Sequence, residues 1–316
     1  MRTPLPLLGA VMAVALIFGG ATAASADDTD PAGLAWSVAT VDGEHGSARP
    51  NFAYAVEPGT VLTDTMRVTN TGTTALDLAV YATDAYTTAD GNVGLLTNDE
   101  PPVDAGAWVT ASTTTLRLEP GQQSDIAFTV TVPADAAPGD HSAGIVTSFV
   151  SGDPGSTLAV DRRLGTRISV RVAGELTPAA DVTNLTTTYT AGWNPFESGQ
   201  LVLAYEITNT GNTLLTGTDA STAAALFGVV SGTPAPLVLP EVLPGSTMEV
   251  SRVIPIAPWG WVTGSVTVYP AAVGYGSQAL QPVVIDYTVA AVPWMLLIAF
   301  VVVIVIGLLV WWLVAR

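Results

Sequence analysis

The sequence predicts an all-β protein made of two tandem β-domains, followed by one transmembrane α-helix at the C-terminus. A unit of strand, turn and strand occupies residues 56–86, and an echo of it, GQLVLAYEITNTGNTLL, occupies residues 199–215. An uncharged apolar run at residues 291–314 is long enough to cross a bilayer. A repeated strand unit ahead of a membrane segment is typical of tandem surface domains and not of one enzyme core.

The first copy alternates as a half-buried strand does. Leu62, Met66 and Val68 fall on one parity, and mainly polar residues fall on the other. Asn-Thr-Gly at residues 70–72 predicts a tight turn, because Asn and Gly tolerate a positive φ. The alternation resumes at Leu76, so the unit predicts two antiparallel strands.

The second copy keeps the same order. Alternating Leu201, Leu203 and Tyr205 lead to Asn-Thr-Gly at residues 209–211. A further strand follows LEPG in the first half and LPG in the second half. Duplication of one domain is the simplest explanation of this shared order.

Gly and Pro residues divide the chain into segments. We expect a first domain at residues 27–172, a linker at 173–180 and a second domain at 181–288. Outside the termini, only residues 219–227, DASTAAALF, favour a short helix.

Both ends of the chain predict membrane targeting. Arg2, an apolar run and a small-residue site ending at Ala26 predict a signal peptide at residues 1–26. The C-terminal run predicts a transmembrane helix at residues 289–314 with a tail at 315–316. Arg316 is the only charge beyond this helix, so the positive-inside rule places the C-terminus in the cytoplasm and the N-terminus outside the cell.

The composition narrows the choice of partners. The chain has 27 acidic residues, ten arginines, no lysine and no cysteine, for a net charge of −17. Such a surface repels nucleic acid and anionic lipid. Without disulfides, each domain depends on its own hydrophobic core.

Candidate sites are few. The chain has two histidines, His45 and His141, and no cysteine, so we expect no enzyme and no catalytic residue or cofactor. Asp84, Asp90 and Asn92 offer oxygen ligands for calcium, although Asp-Gly-Asn is equally a hairpin turn.

Aromatic residues are the candidates for ligand binding. Tyr81 and Tyr86 could stack on sugar rings, and Tyr81 shares the outward parity of its strand. We expect Trp108 to pack in the core instead.

Three motifs of the first domain occur in a familiar order. They are YAVEPGTVLTDTMRVTNTG at residues 54–72, TDAYTTADGNVGL at residues 83–95, and the segment from AWVTASTTTL to DHSAGIV at residues 107–146. Over residues 36–150 the chain therefore resembles the amino-terminal domain of WxL-interacting proteins of Gram-positive bacteria. The resemblance implies an immunoglobulin-like β-sandwich and peptidoglycan binding by the first domain, with a surface protein as a possible further partner.

Two hypotheses of function follow. The main one is a non-catalytic, membrane-anchored surface protein that binds cell-wall polymer and recruits other surface proteins. The alternative is a structural or scaffolding component of an envelope adhesion or secretion assembly. In that role, sandwich edges pair with strands of a protein partner and no glycan is bound.

Overall fold

The computed structural model describes residues 33–151, 160–192, 194, 197–274 and 280–316. The predicted signal peptide at residues 1–26 lies outside this part of the chain. The described chain is mostly β, with one apolar helix at its C-terminus.

Two sheets face each other in the N-terminal half, which we call the first sheet pair. One sheet has the strand order β1-β3-β8-β6, and the other has the order β2-β10-β9-β4-β5, with β7 also on β4. The elements are β1 (Trp36–Thr40), β2 (Phe52–Val56), β3 (Val61–Asn70), β4 (Leu76–Thr87), β5 (Val93–Leu95), α1 (Ala105–Trp108), β6 (Val109–Ala111), β7 (Thr115–Leu118), β8 (Gln123–Thr131), β9 (Gly139–Ser151) and β10 (Val160–Val172).

Two further sheets form the second sheet pair. Their orders are β11-β12-β16 and β14-β13-β17-β18, with β15 also on β13. The elements are β11 (Ala180–Thr190), β12 (Gly199–Asn209), β13 (Leu215–Ala225), a 3-10 turn (Leu226–Gly228), β14 (Val230–Gly232), β15 (Leu237–Val242), β16 (Thr247–Ile256), β17 (Gly260–Ala272), β18 (Val283–Ala291) and α2 (Trp294–Val314).

Each sheet pair encloses its own hydrophobic core. The parity predicted from the sequence is confirmed in both halves, since Met66, Val68 and Leu76 are fully buried in the first core. Leu201 and Leu203 are likewise fully buried in the second. Every second residue of these strands is buried between the facing sheets, and this alternation locates both cores.

The two Asn-Thr-Gly turns are built alike, around a buried asparagine. Asn70 Nδ2 donates to the carbonyl oxygens of Thr74 at 2.8 Å and Leu118 at 3.0 Å, and its Oδ1 accepts from the Gly72 amide at 2.9 Å. The sequence analysis expected a positive φ at the asparagine and the glycine of these turns, and this prediction is wrong for both residue types. Glycine is needed for close packing instead, because a Cβ at position 72 would lie 2.0 Å from the Gly33 carbonyl oxygen.

Asn209 repeats this arrangement in the second sheet pair. Its Nδ2 donates to the carbonyl oxygens of Thr213 at 2.7 Å and Val242 at 2.9 Å, and its Oδ1 accepts from the Gly211 amide at 3.1 Å. The shared hydrogen bonds agree with duplication of one structural unit.

The helix predicted for residues 219–227 is wrong, because β13 continues to Ala225. Its buried residues alternate, and Asp219 and Ser221 are both fully buried. The Asp219 carboxylate lies 3.0 Å from Arg252 Nε. Small side chains and this ion pair suit a central strand, so tertiary packing overrides the helical preference of the alanines.

The C-terminal helix α2 has 21 residues, none of them charged. It is long and apolar enough to cross a membrane. None of the helix is buried against the rest of the described chain, and Trp294 and Trp311 lie near its two ends.

Candidate functional site

The predicted calcium ligand Asp84 is buried and already hydrogen bonded. Its carboxylate accepts from the amides of Val103 at 2.6 Å, Asp104 at 3.0 Å and Gly106 at 2.6 Å. These bonds secure the long loop after β5 to strand β4. The geometry therefore gives Asp84 a structural role in the loop.

Asp90 and Asn92 lie in the hairpin turn between β4 and β5. Asp90 accepts hydrogen bonds from the Thr88 hydroxyl and from Asn92 Nδ2, and these bonds lower the pKa of Asp90. Gly91 has a φ of 82°, as a tight turn requires. Across the described ranges, no three His, Asp or Glu side chains gather as a metal site, and calcium binding stays a prediction.

Tyr81 and Tyr86 lie on β4 near a common cation, Arg163 of β10. The phenol of Tyr81 is the main cause of a raised pKa at Arg163, and Asp161 and Tyr86 also contribute. Tyr81 is half-buried, whereas Tyr86 is 41% exposed. The structure thus brings the two predicted tyrosines toward one arginine that the sequence analysis did not single out.

A cleft of about 400 Å³ opens on this face of the sheet. Its lining includes Leu95, Val146, Arg163 and Gly165. The glycine matters because a Cβ at position 165 would lie 2.6 Å from a Leu95 methyl group. Asp161 also lines the cleft, so two opposite charges border its apolar residues, an arrangement suited to an amphipathic group.

Strand β10 borders this cleft and has a free edge. Along one side, β9 pairs with its whole length. On the other side, the parallel strand β2 pairs only with the last five residues, from Ile168 to Val172. Among the described strands, none pairs with residues 160–167 on that side. We call this segment the β10 edge.

Apolar side chains are exposed along the β10 edge. Val160 is 49% exposed and Leu164 is 38% exposed, although both share the parity of the buried Ile168. Beneath them, Trp36 Nε1 donates to Thr147 Oγ1 at 2.9 Å, and Thr147 Oγ1 donates to the Leu164 carbonyl oxygen at 3.0 Å. The apolar side chains of the β10 edge are therefore left uncovered by the facing sheet. The backbone of the edge at Leu164 is held in place by these two hydrogen bonds.

His141 lies where the two sheet pairs meet. Its Nδ1 is 2.7 Å from Asp104 Oδ1, its Nε2 is 2.9 Å from the Ala137 carbonyl oxygen, and its ring packs 4.7 Å from the Trp108 ring. Burial opposes the charged imidazolium, but the bonds to Asp104 and Ala137 outweigh it and raise the pKa of His141. Trp108 itself packs against the first core, as predicted.

The neighbouring Asp140 joins the two sheet pairs. It accepts from Arg171 at 2.5 and 2.6 Å and from the amide of Leu214 at 2.6 Å. Arg171 in turn donates to the Val273 carbonyl oxygen at 2.8 Å. The sequence analysis missed this contact, since its partners are far apart in the chain.

Comparisons with known proteins give no close relative. No protein-family model matches the chain, and no curated protein matches it in sequence. Among solved structures, a chain from a chaperone–tip adhesin complex of CFA/I fimbriae matches at 9% identity and a TM-score of 0.37, covering 80% of this chain and 98% of that one. The YadV chaperone matches at 11% identity and a TM-score of 0.34, covering 81% and 98%. The CupB2 chaperone of Pseudomonas aeruginosa matches at 13% identity and a TM-score of 0.30, covering 78% and 99%.

These findings overturn the resemblance to WxL-interacting proteins. No family model supports it, and the solved structures that match include several chaperones of fimbriae. Peptidoglycan binding and a Gram-positive origin rested on that resemblance, so both predictions are wrong. At TM-scores below 0.5, the functions of the matched proteins carry no argument for this one, and its function has to be argued from its own residues.

Proposed function

We propose that this protein is a non-catalytic, membrane-anchored scaffold that binds a protein partner by adding a strand to the β10 edge. One observation carries the proposal: among the described strands, residues 160–167 have a sheet neighbour on one side only, while the rest of β10 has two. An unpaired strand edge offers backbone donors and acceptors to any extended segment.

The side chains along the β10 edge favour a peptide strand in which apolar and polar residues alternate. Val160 and Leu164 would be covered by apolar residues of the added strand on its inner face. On the outer face, Arg163 and the cleft beside it would receive side chains of the opposite parity. Backbone pairing supplies affinity in this mode, and the alternate side chains supply specificity.

The remaining parts of the proposal concern architecture. We propose that the two sheet pairs are two immunoglobulin-like domains in tandem, at residues 27–172 and 181–288. The proposed anchor is α2, with Arg316 in the cytoplasm and both domains outside the cell. Each sheet pair has a separate core, which supports the division.

Single cysteines test the proposed binding surface, because the natural chain contains none. Val160→Cys and Leu164→Cys would be labelled with a photoreactive benzophenone on intact cells, with Val284→Cys as the control. Val284 is 55% exposed on the edge strand β18. We expect one discrete protein adduct from positions 160 and 164 and none from position 284.

A charged variant supplies the second half of this test. Leu164→Asp should keep the melting temperature and abolish the adduct formed from position 160, because a carboxylate opposes apolar contact across the added strand. Val284→Asp should leave that adduct intact. Equal adducts at all three labelled positions, or an adduct that survives Leu164→Asp, would contradict strand addition at the β10 edge.

A further inference from the structure

The end of the second sheet pair nearest α2 carries an exposed apolar surface. Strand register places several chain reversals there: Ala225 at the end of β13 pairs with Val262 of β17, and Gly260 pairs with Ala291 at the end of β18. The 3-10 turn after β13, the loop before β17 and the start of α2 therefore share one end of the sheet.

The side chains at this end are large, apolar and open to solvent. In the 3-10 turn and just after it, Phe227 is fully exposed at 107% and Val229 is 77% exposed. In the loop before β17 and at its start, Trp259 is 43% exposed and Trp261 is 68% exposed. We call these four residues the apolar rim.

The backbone of the 3-10 turn is strained in a way that displays these side chains. Leu226 and Phe227 have φ values of 50° and 55°, which are left-handed and uncommon for non-glycine residues. Such strain persists only where the surrounding structure enforces it, and it is frequent at binding sites. Here it holds the Phe227 ring outward, where the described part of the chain leaves it fully exposed.

Charge is depleted at the same end. Residues 226–229 and 257–261 contain no charged residue, although the chain carries a net charge of −17. The reversal between β11 and β12 contributes one acid, Glu197. The opposite end of the second sheet pair, by contrast, receives Asp140 and Arg171 of the first.

The connection to α2 fixes the distance of this end from the helix. Only Val292 and Pro293 separate β18 from α2, and three Cα–Cα steps of about 3.8 Å span about 11 Å at most. The first turn of α2 also borders a cavity of about 230 Å³ with Gly192 and Pro258. The headgroup layer on each side of a bilayer is about 5–7 Å thick, so even a fully extended connection would leave the sheet end within a few ångströms of that layer once α2 spans the membrane.

We infer that the apolar rim inserts into the lipid headgroup layer around α2, so that the second sheet pair is seated on the membrane as well as tethered to it. Tryptophan and phenylalanine suit this layer, where apolar rings meet polar headgroups. The contact is apolar and aromatic in character, because the acidic chain has no basic cluster at this end to attract anionic lipid. This inference rests on α2 being a membrane anchor, as proposed above.

The experiment uses the full chain in zwitterionic phosphatidylcholine nanodiscs with single spin labels. Phe227→Cys and Trp261→Cys report on the rim, and Ile304→Cys reports on the middle of α2. Tyr269→Cys is the matched control, because it is 49% exposed on the same strand and face as Trp261. Eight residues of strand place it about 26 Å farther from the rim.

Accessibility of each label to oxygen and to a water-soluble nickel complex gives its depth. We expect positions 227 and 261 to favour oxygen over nickel, with position 304 deeper and position 269 fully aqueous. Labels at 227 and 261 that match position 269, while 304 lies in lipid, would overturn the inference and leave the anchor intact. An aqueous label at 304 would overturn the anchor and the inference with it. Circular dichroism of each variant checks that the exposed substitutions leave the fold unchanged.

Discussion

At the residue scale, two asparagines have a disproportionate structural role. Asn70 and Asn209 are completely buried, and each satisfies two carbonyl oxygens and one amide with a single side chain. No hydrophobic residue could replace those bonds, so the cores depend on a polar group at each turn.

Replacing Asn70 with alanine should lower the free energy of unfolding by about 3 kcal/mol or more, since one buried and two partly buried groups lose partners at about 1–3 kcal/mol each. Urea unfolding of the full chain in detergent would measure this. Asn98→Ala is the control, because Asn98 is exposed; it should stay within about 0.5 kcal/mol of the parent. A similar small loss for both variants would refute the structural role of Asn70.

His141 should make stability depend on pH. Its pKa is raised in the folded protein, so the stabilisation is fully present below the unfolded value of about 6.5 and is lost as the pH rises through the folded pKa. The melting temperature should therefore fall as the pH rises from about 6.5 through the folded pKa, and His141→Gln should flatten that slope. An unchanged slope in the variant would assign the pH dependence to other groups.

At the element scale, the strands that obey a two-residue period could be predicted from sequence, because each buries one face against a local core. The β10 edge could not, since it depends on how far β2 runs alongside a strand more than a hundred residues later. The grouping of Tyr81 and Tyr86 with Arg163 has the same origin. Residues 219–227 misled the prediction because alanine favours helix locally, while burial of every second residue against the second core favours strand.

The glycine of the Asn-Thr-Gly turn offers a test at this scale. A Cβ at position 72 would meet the Gly33 carbonyl oxygen at 2.0 Å and the Ala35 amide nitrogen at 2.8 Å. Gly72→Ala should therefore displace the segment at residues 33–35 that leads into β1 and lower the melting temperature by several degrees. Gly43→Ala is the control, because no atom lies within 4 Å of a Cβ there. Equal melting temperatures for the two variants would contradict the close packing.

At the scale of the whole molecule, the contact between the sheet pairs includes a partly buried ion pair. The side chains of Arg171 and Asp140 are 21% and 13% exposed, and both reach the backbone of the second sheet pair. Removing one partner would leave the other charge uncompensated in a place with little water.

We expect Arg171→Ala to lower the free energy of unfolding by about 3 to 5 kcal/mol and to split the calorimetric transition into two, one for each sheet pair. Arg67→Ala is the matched control, since Arg67 and Asp125 form an exposed pair at 40% and 45% and should cost at most about 1 kcal/mol. A single transition with a loss no larger than that of the control would contradict both the ion pair's role and the division into two domains.

The path of the chain through the second sheet pair determines how the molecule bears load. β11 begins at the end that faces the first sheet pair, and β18 leaves at the opposite end, directly into α2. A pull on a bound partner would therefore stretch this unit from end to end, loading the nine β17–β18 residue pairs in parallel. Those backbone bonds would have to break together, which resists extension far better than opening a hairpin one pair at a time. In the scaffold role proposed above, this path would let the protein hold a bound partner under tension.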